Sequence, residues 1–334
     1  MPERCNLNIS VVSRWWEDQL GVAADAPADS KRAKLAEALP GLITFRAEEI
    51  PAMPPDPNHG LTIARALGAT LTPTSTGGWD VTPMSTEALR ALMPPDYTTD
   101  PAVDALRRTL LQAPVGERRA ETSGAGVLRY LLLLRGQELF YDFSEEPELV
   151  HHMAGVVAET IIRHLVFMKD LCGDITYFVL GNCSNCMISP DVYDEFIRPH
   201  ESRISTLSGY LKGRPRAMGI HHCGTKVDPY LETYAKIADL EMIEADWTSD
   251  WDRTERMMPG ILLKPMLDPI LLDDMAEEAI AAQVRTLAQR PAVVEIQAFG
   301  LSQFFTLAKM RTLLTTVLEE NRAAGLPGYT RFFL

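Results

Sequence analysis

The chain has 334 residues, 46% of them hydrophobic, and a formal net charge of −13. That apolar share builds a large core without disulfide staples, and the acidic balance excludes a polyanionic partner such as nucleic acid. The five cysteines are odd in number and clustered, and the start Met1-Pro2-Glu3-Arg4-Cys5 has no basic segment leading into an apolar one. The longest apolar run, Tyr130 to Leu134, is far too short for a membrane span, so a cytoplasmic protein is expected.

In chain order, the first part, residues 1–115, reads as the less regular one. Residues 51–57 hold four prolines, with His59 just beyond, and turn residues recur from Thr72 to Pro83, including Gly77-Gly78. From about Arg118, over the regular part 116–334, short apolar runs alternate with amphipathic patterns. The predicted strands are Thr176–Leu180, Ala217–His221, Leu240–Ala245, Ile261–Leu267 and Val293–Ala298. The predicted helices are Glu148–Leu171, Pro190–Leu211, Asp228–Ile237, Leu271–Arg290 and Ser302–Ala324, with Pro190 and Pro229 where a first turn accepts proline. Such alternation implies a parallel sheet, and this many units imply a single α/β domain over 1–334: a (β/α)8 TIM barrel with an irregular N-terminal extension.

In a barrel the chemistry sits on loops that follow the strands. Two cysteine-bearing segments fall there, Cys183-Ser184-Asn185-Cys186 and His221-His222-Cys223. Side chains two apart on a strand share a face, so His221 and Cys223 are expected to point together and His222 away. Cys183 and Cys186 are spaced so that both thiolates reach one ion. Each segment alone is weak evidence: the Cys-x-x-Cys reads equally as packed thiols or a redox pair. Together their ligand types suit Zn²⁺. Four ligands, His221, Cys223, Cys183 and Cys186, would make a closed structural site, whereas catalysis needs an exchangeable position.

The segment Ile188-Ser189-Pro190-Asp191-Val192-Tyr193-Asp194-Glu195-Phe196-Ile197-Arg198-Pro199-His200 resembles the Ser-Pro-x-x-Tyr-x-x-Phe-x-x-Pro-Tyr element of the uroporphyrinogen decarboxylase superfamily. Gly124 to Gly136, followed by Phe140-Tyr141-Asp142-Phe143 and Pro147-Glu148-Leu149-Val150, is similar to that family's Gly-rich strand end, helix and "Asp, then Pro-Glu" segment. His221-His222-Cys223-Gly224 resembles the His-x-Cys-Gly of its cobalamin- and coenzyme M-type methyltransferase branch, and Leu263-Lys264-Pro265-Met266-Leu267-Asp268-Pro269 its late Gly-Asn-Leu-Asp-Pro strand. The resemblance spans about residues 118–320 and implies a TIM barrel. The arginine-bearing N-terminal element that holds tetrapyrrole carboxylates in the decarboxylases has no counterpart, and Arg14 is a poor substitute, so the chain does not look like a true uroporphyrinogen decarboxylase.

The methyltransferase branch holds zinc with the His-x-Cys pair and a later cysteine, where this chain reads Ala298-Phe299-Gly300-Leu301-Ser302. Leu301 binds no metal, which leaves Cys183, Cys186, Glu295 or Gln297 as replacements, or metal-free chemistry, or a closed structural zinc. The resemblance implies an enzyme moving a methyl group from a small methylated donor or a methyl-corrinoid to a thiol, corrinoid or tetrahydrofolate acceptor. A corrinoid would arrive on a partner protein, since no Asp-x-His-x-x-Gly pattern is present. The catalytic candidates are His221, Asp246 and Glu244; the substrate-binding candidates are His222, Trp247, Asp268 and Gln297. Asp250, Trp251 and Lys264 also lie at strand ends, and Asp268 reads equally as a helix cap. His151, His152, His164, Tyr193, Met257 and Met258 read as packing or solvated residues. The alternatives are a decarboxylase-like lyase and a non-catalytic metal- or corrinoid-binding subunit. Family resemblance implies a homodimer.

Overall fold

The computed structural model describes residues 6–43, 61–74, 79–114, 123–173, 175, 178–213, 216–325 and 330–333. The proline-rich stretch 51–57, His59, Gly77-Gly78 and Thr176 lie outside them. The chain divides into two compact units, one of residues 50–241 and one of residues 1–49 with 242–334.

In the unit of residues 50–241 three parallel strands run side by side: β4 (Ser123–Ala125), β5 (Phe178–Gly181) and β6 (Met218–His222). An antiparallel hairpin, β2 (Thr70–Pro73) with β3 (Trp79–Thr82), stands apart from them. The longest helix, Pro147–Cys172, starts on proline, where the missing N–H costs nothing, and buries Leu149, Val150, Met153, Val157, Ile161 and Met168 at helical spacing. Asp142, just upstream, is 4% exposed and takes two hydrogen bonds from Arg135, at 2.6 and 3.0 Å.

The helix expected over Pro190–Leu211 is broken. A short α-turn, Pro190–Val192, passes into a π-turn at Tyr193–Ile197, then Arg198–Ser205 and Ser208–Lys212 follow. The cause is Pro199, which cannot donate to the carbonyl four residues back, so the ladder widens just before it. The prediction over Asp228–Ile237 shrinks to a 3-10 turn at Asp228–Tyr230 and a helical turn at Leu231–Tyr234.

The other unit has the strand order β10 (Thr330–Phe333), β1 (Asn6–Val11), β9 (Glu295–Leu301), β8 (Leu262–Met266), β7 (Leu240–Asp246), all parallel; β7 begins two residues before the division. β1 corrects the reading of the N-terminal part as irregular: it is the inner strand between β10 and β9. Its alternation Asn-Leu-Asn-Ile-Ser-Val has strand period, but Asn is a poor strand former. The helices Ser13–Leu20, Ala28–Ala38 and Pro101–Leu111 likewise lie in the part expected to be irregular. The helix expected over Leu271–Arg290 is two, Pro269–Asp274 and Glu277–Ala288, and that over Ser302–Ala324 begins at Leu307, after the Thr306 cap. Among the described residues no helix is long and apolar enough to cross a membrane.

Candidate metal centre and its surroundings

β5 and β6 pair with Gly181 opposite His221, and the backbone N–H of Asn182 donates to the carbonyl of His221 at 2.7 Å. The two strands therefore end together, and the 3-10 turn Cys183–Met187 starts beside the end of β6. This brings Cys183, His221 and Cys223 into one group whose ligand atoms all lie within 4.8 Å of one another. Gly224, at φ +87°, turns the chain immediately after Cys223, a conformation that L side chains rarely adopt. Cys186 is outside the group; its thiol donates to the carbonyl of Cys183 at 3.2 Å.

The thiols differ in acidity. Hydrogen bonds from Cys223 and His221, with the charge on His221, pull the Cys183 thiol well below its ordinary value. Beside that thiolate, and by burial, the Cys223 thiol is pushed up. Two sulfurs and an imidazole nitrogen suit Zn²⁺. A single Zn²⁺ takes such donors in a tetrahedral set, and atoms within 4.8 Å of one another are close enough to share one ion. Three protein donors leave the fourth position open.

Behind the group is a buried polar network. Asn185 Nδ2 donates to the Tyr234 hydroxyl at 3.2 Å, and that hydroxyl is hydrogen-bonded with His222 Nδ1 at 2.8 Å. His222 Nε2 lies 3.3 Å from Thr225 Oγ1. His222, expected to bind substrate, is thus fully buried with both ring nitrogens engaged, and burial with the charge on His221 lowers it to about 4, so it stays neutral. The hydroxyl of Tyr230 shares its proton between the carbonyls of Asn185 and Ile188, at 2.7 and 2.5 Å, and so fixes the middle and the C-terminal side of the cysteine turn.

Glu201, also fully buried, accepts from Asn182 Nδ2 at 2.8 Å and from the Tyr193 hydroxyl at 2.5 Å; burial raises its carboxyl, against those bonds. A Cβ at Gly126 would stand 1.9 Å from Asn182 Oδ1, so only glycine fits there. Tyr193 belongs to the Ser-Pro-x-x-Tyr element, whose Ser189 caps its own helical turn by accepting from Val192 N at 3.2 Å. Asn182, Glu201, Tyr230 and Tyr234 carried no spacing signal in the sequence. Glu201 had one faint cue, a carboxylate about two helical turns after a tyrosine.

The remaining candidates lie in the unit that contains β7, β8, β9 and β1. Gln297 Nε2 donates to Glu244 and, at 2.9 Å, to Glu295, and Lys264 Nζ is 3.3 Å from Glu295. Glu244 and Gln297 are thus brought together. Asp246 accepts from the backbone N–H and the hydroxyl of Thr248, the former at 2.7 Å, and Asp268 caps the helix Pro269–Asp274 through Ile270 N at 2.8 Å. Asp250 caps Trp251–Met257. Trp247 is buried, and its indole nitrogen has no hydrogen-bond partner among the described residues. Leu301 is wholly buried.

No curated protein matches the chain in sequence. Its fold is similar to that of a methyltransferase from Methanosarcina mazei at 15% identity and a TM-score of 0.61, over 95% of this chain and 94% of that one. A candidate vitamin-B12-independent methionine synthase from Listeria monocytogenes is similar at 15% identity over 69% of this chain and 71% of that one, but its TM-score of 0.42 is too low to argue from. The uroporphyrinogen decarboxylase (URO-D) family model matches residues 60–319, which take in both cysteine segments and the Ser-Pro-x-x-Tyr element. The chain therefore belongs to the uroporphyrinogen decarboxylase family.

Proposed function

We propose that the chain is a cytoplasmic methyltransferase built as a single closed (β/α)8 barrel, with Zn²⁺ held by Cys183, His221 and Cys223. It moves a methyl group from a small methylated donor, or from a methyl-corrinoid carried by a partner protein, to a thiol, corrinoid or tetrahydrofolate acceptor. The observation that carries the reading is the group of Cys183, His221 and Cys223; three protein donors would leave a fourth position for exchange. The similar fold described as a methyltransferase supports it by analogy of fold. In this reading Cys183 takes the place left by Leu301.

Bound zinc would lower the pKa of an acceptor thiol, so that it meets the methyl carbon as a thiolate at neutral pH. The acceptor sulfur forms the new bond to carbon, and the donor leaves with the electron pair of the old one. His221 and Cys223 are held by the end of β6, and Cys183 by the turn that Tyr230 clamps, so the donors are ordered before an ion arrives. The acid and base work expected of Glu244 and Asp246 divides unequally: Glu244 is buried and oriented by Gln297, whereas Asp246 is engaged with Thr248.

The test is metal content with turnover. Protein purified under reducing conditions is expected to hold about one zinc per chain, and the Cys183→Ala and Cys223→Ala variants to lose it along with methyl transfer to a thiol. Absence of stoichiometric metal from the wild type sinks the zinc-thiolate mechanism. A panel of methylated donors against thiol, cob(I)alamin and folate acceptors identifies the pair.

A further inference from the structure

Four neighbouring strands, β7, β8, β9 and β1, have one apolar face and one that carries a band of polar side chains beside Met242, Leu262 and Met266. Ile243, Ala245, Leu263, Ile296, Ala298, Leu7 and Ile9 are all 0% exposed. The alternate positions on the same strands carry Glu244, Lys264, Glu295, Gln297, Asn6 and Asn8. Register sets them side by side: Glu244 opposite Lys264, Asn8 opposite Gln297, Asn6 opposite Glu295. Central parallel strands covered on both faces read as nearly continuous apolar runs. A polar stripe at this depth works against folding, and such departures from local consistency mark functional sites.

Two of the stripe's donors are engaged within it. Gln297 turns its Nε2 to Glu244 and Glu295, and the Lys264 ammonium is on Glu295. Three amide oxygens are not: Gln297 Oε1, Asn8 Oδ1 and Asn6 Oδ1 are buried and meet no donor among the described residues. Asn8 and Gln297 are each only 4% exposed, so bulk water does not reach them freely. Buried acceptors without partners are rare and call for one. The chemistry of the missing partner follows: it donates hydrogen bonds, and it carries no acid, because two carboxyl groups already face one ammonium.

We infer that the stripe formed by Asn8, Gln297, Glu295 and Glu244 binds the nitrogenous head of a ligand, a group bearing N–H donors such as an alkylammonium ion or an amino-substituted heterocycle. A sulfonate, carboxylate or phosphate head is excluded from it. That this head belongs to the methyl donor or acceptor rests on the methyl-transfer reading; that the stripe binds such a head does not. The two sources of the same chemistry are a small methylated amine and a 2-amino-4-oxopteridine ring.

Calorimetric titration of the full chain tests this with methylammonium chloride, 2-amino-4-oxopteridine and, as the acidic control, 2-mercaptoethanesulfonate. One of the two nitrogenous probes is expected to bind, Asn8→Leu to weaken it about tenfold, and Asn8→Asp, which keeps the oxygen, to retain it, with melting curves verifying that both variants fold. Gln297→Glu, which keeps the oxygen but removes the bridge between the two carboxyl groups, is expected to favour the cationic probe over the neutral one. The inference is overturned if neither nitrogenous probe binds at millimolar concentration, if Asn8→Leu binds as the wild type does, or if the sulfonate binds with the same dependence on Asn8. In the first case ordered water alone satisfies the amide oxygens. Binding needs no turnover, so a protein that binds the head and transfers no methyl group overturns the methyl-transfer reading alone.

Discussion

Cys183 and Cys186 are three residues apart, yet only Cys183 joins His221 and Cys223, while the Cys186 thiol turns back to the carbonyl of Cys183. Removing them should therefore have unequal effects. Cys183→Ser is expected to lower zinc affinity at least tenfold and Cys186→Ser to leave it within about twofold, since only the first removes a donor; competition against a chromophoric chelator reads both. Equal losses would place Cys186 in the donor set. His-x-Cys at a strand end was legible, because a period of two puts His221 and Cys223 on one face. Which cysteine of the other segment joins them was not, since a 3-10 turn repeats every three residues and so sets Cys183 and Cys186 on one side. Asp268 shows the reverse: its place before Pro269 already allowed a cap, and a cap is what the structure contains.

The elements have their own lability. In the helix Pro147–Cys172, His164 is buried against Tyr97 and Phe167, and desolvation lowers it from 6.5 to about 4. A folded value below the unfolded one means that the neutral ring contributes stability in full above pH 6.5, and that this is lost as pH falls towards 4. The shift corresponds to roughly 3 kcal/mol. Replacement by a ring that cannot be protonated, His164→Phe, is expected to flatten the fall in urea midpoint between pH 6.5 and 4, although His200 and His222, lowered in the same way, keep some slope. An unchanged slope would refute the assignment. At the strand β4 end, Gly126→Ala forces Asn182 off Glu201, because the new Cβ and the amide oxygen would be 1.9 Å apart. A loss of about 1–3 kcal/mol is expected, with weaker zinc binding because Asn182 precedes Cys183. Urea unfolding and metal titration of that variant check the two effects. Strand positions from β5 to β9 were legible within a few residues, because β-branched and apolar runs between helical patterns are a strong local signal. The break at Tyr193–Ile197 was not, since it depends on one absent N–H at Pro199.

At the scale of the whole molecule, the chain's first strand is paired on both sides, with β9 and with β10, which joins residues far apart in sequence. A chain starting at Ser13 would expose the edges of both neighbours, and unpaired parallel edges aggregate. Truncation through Val12 is expected to give insoluble or aggregated protein by gel filtration, whereas a dispensable extension would leave a monodisperse peak. The alternation of strands and helices, the acidic surface and the donor types of the two cysteine segments follow from sequence alone, because periodicity, charge and ligand chemistry are local properties. Membership of the three-donor group, the buried neutrality of His222 and the polar stripe through Asn8 and Gln297 were decided by tertiary structure. Each depends on the register between strands, Gly181 with His221 in one unit and Asn8 with Gln297 in the other, and register is set by the packing of whole faces, which no short stretch of residues contains.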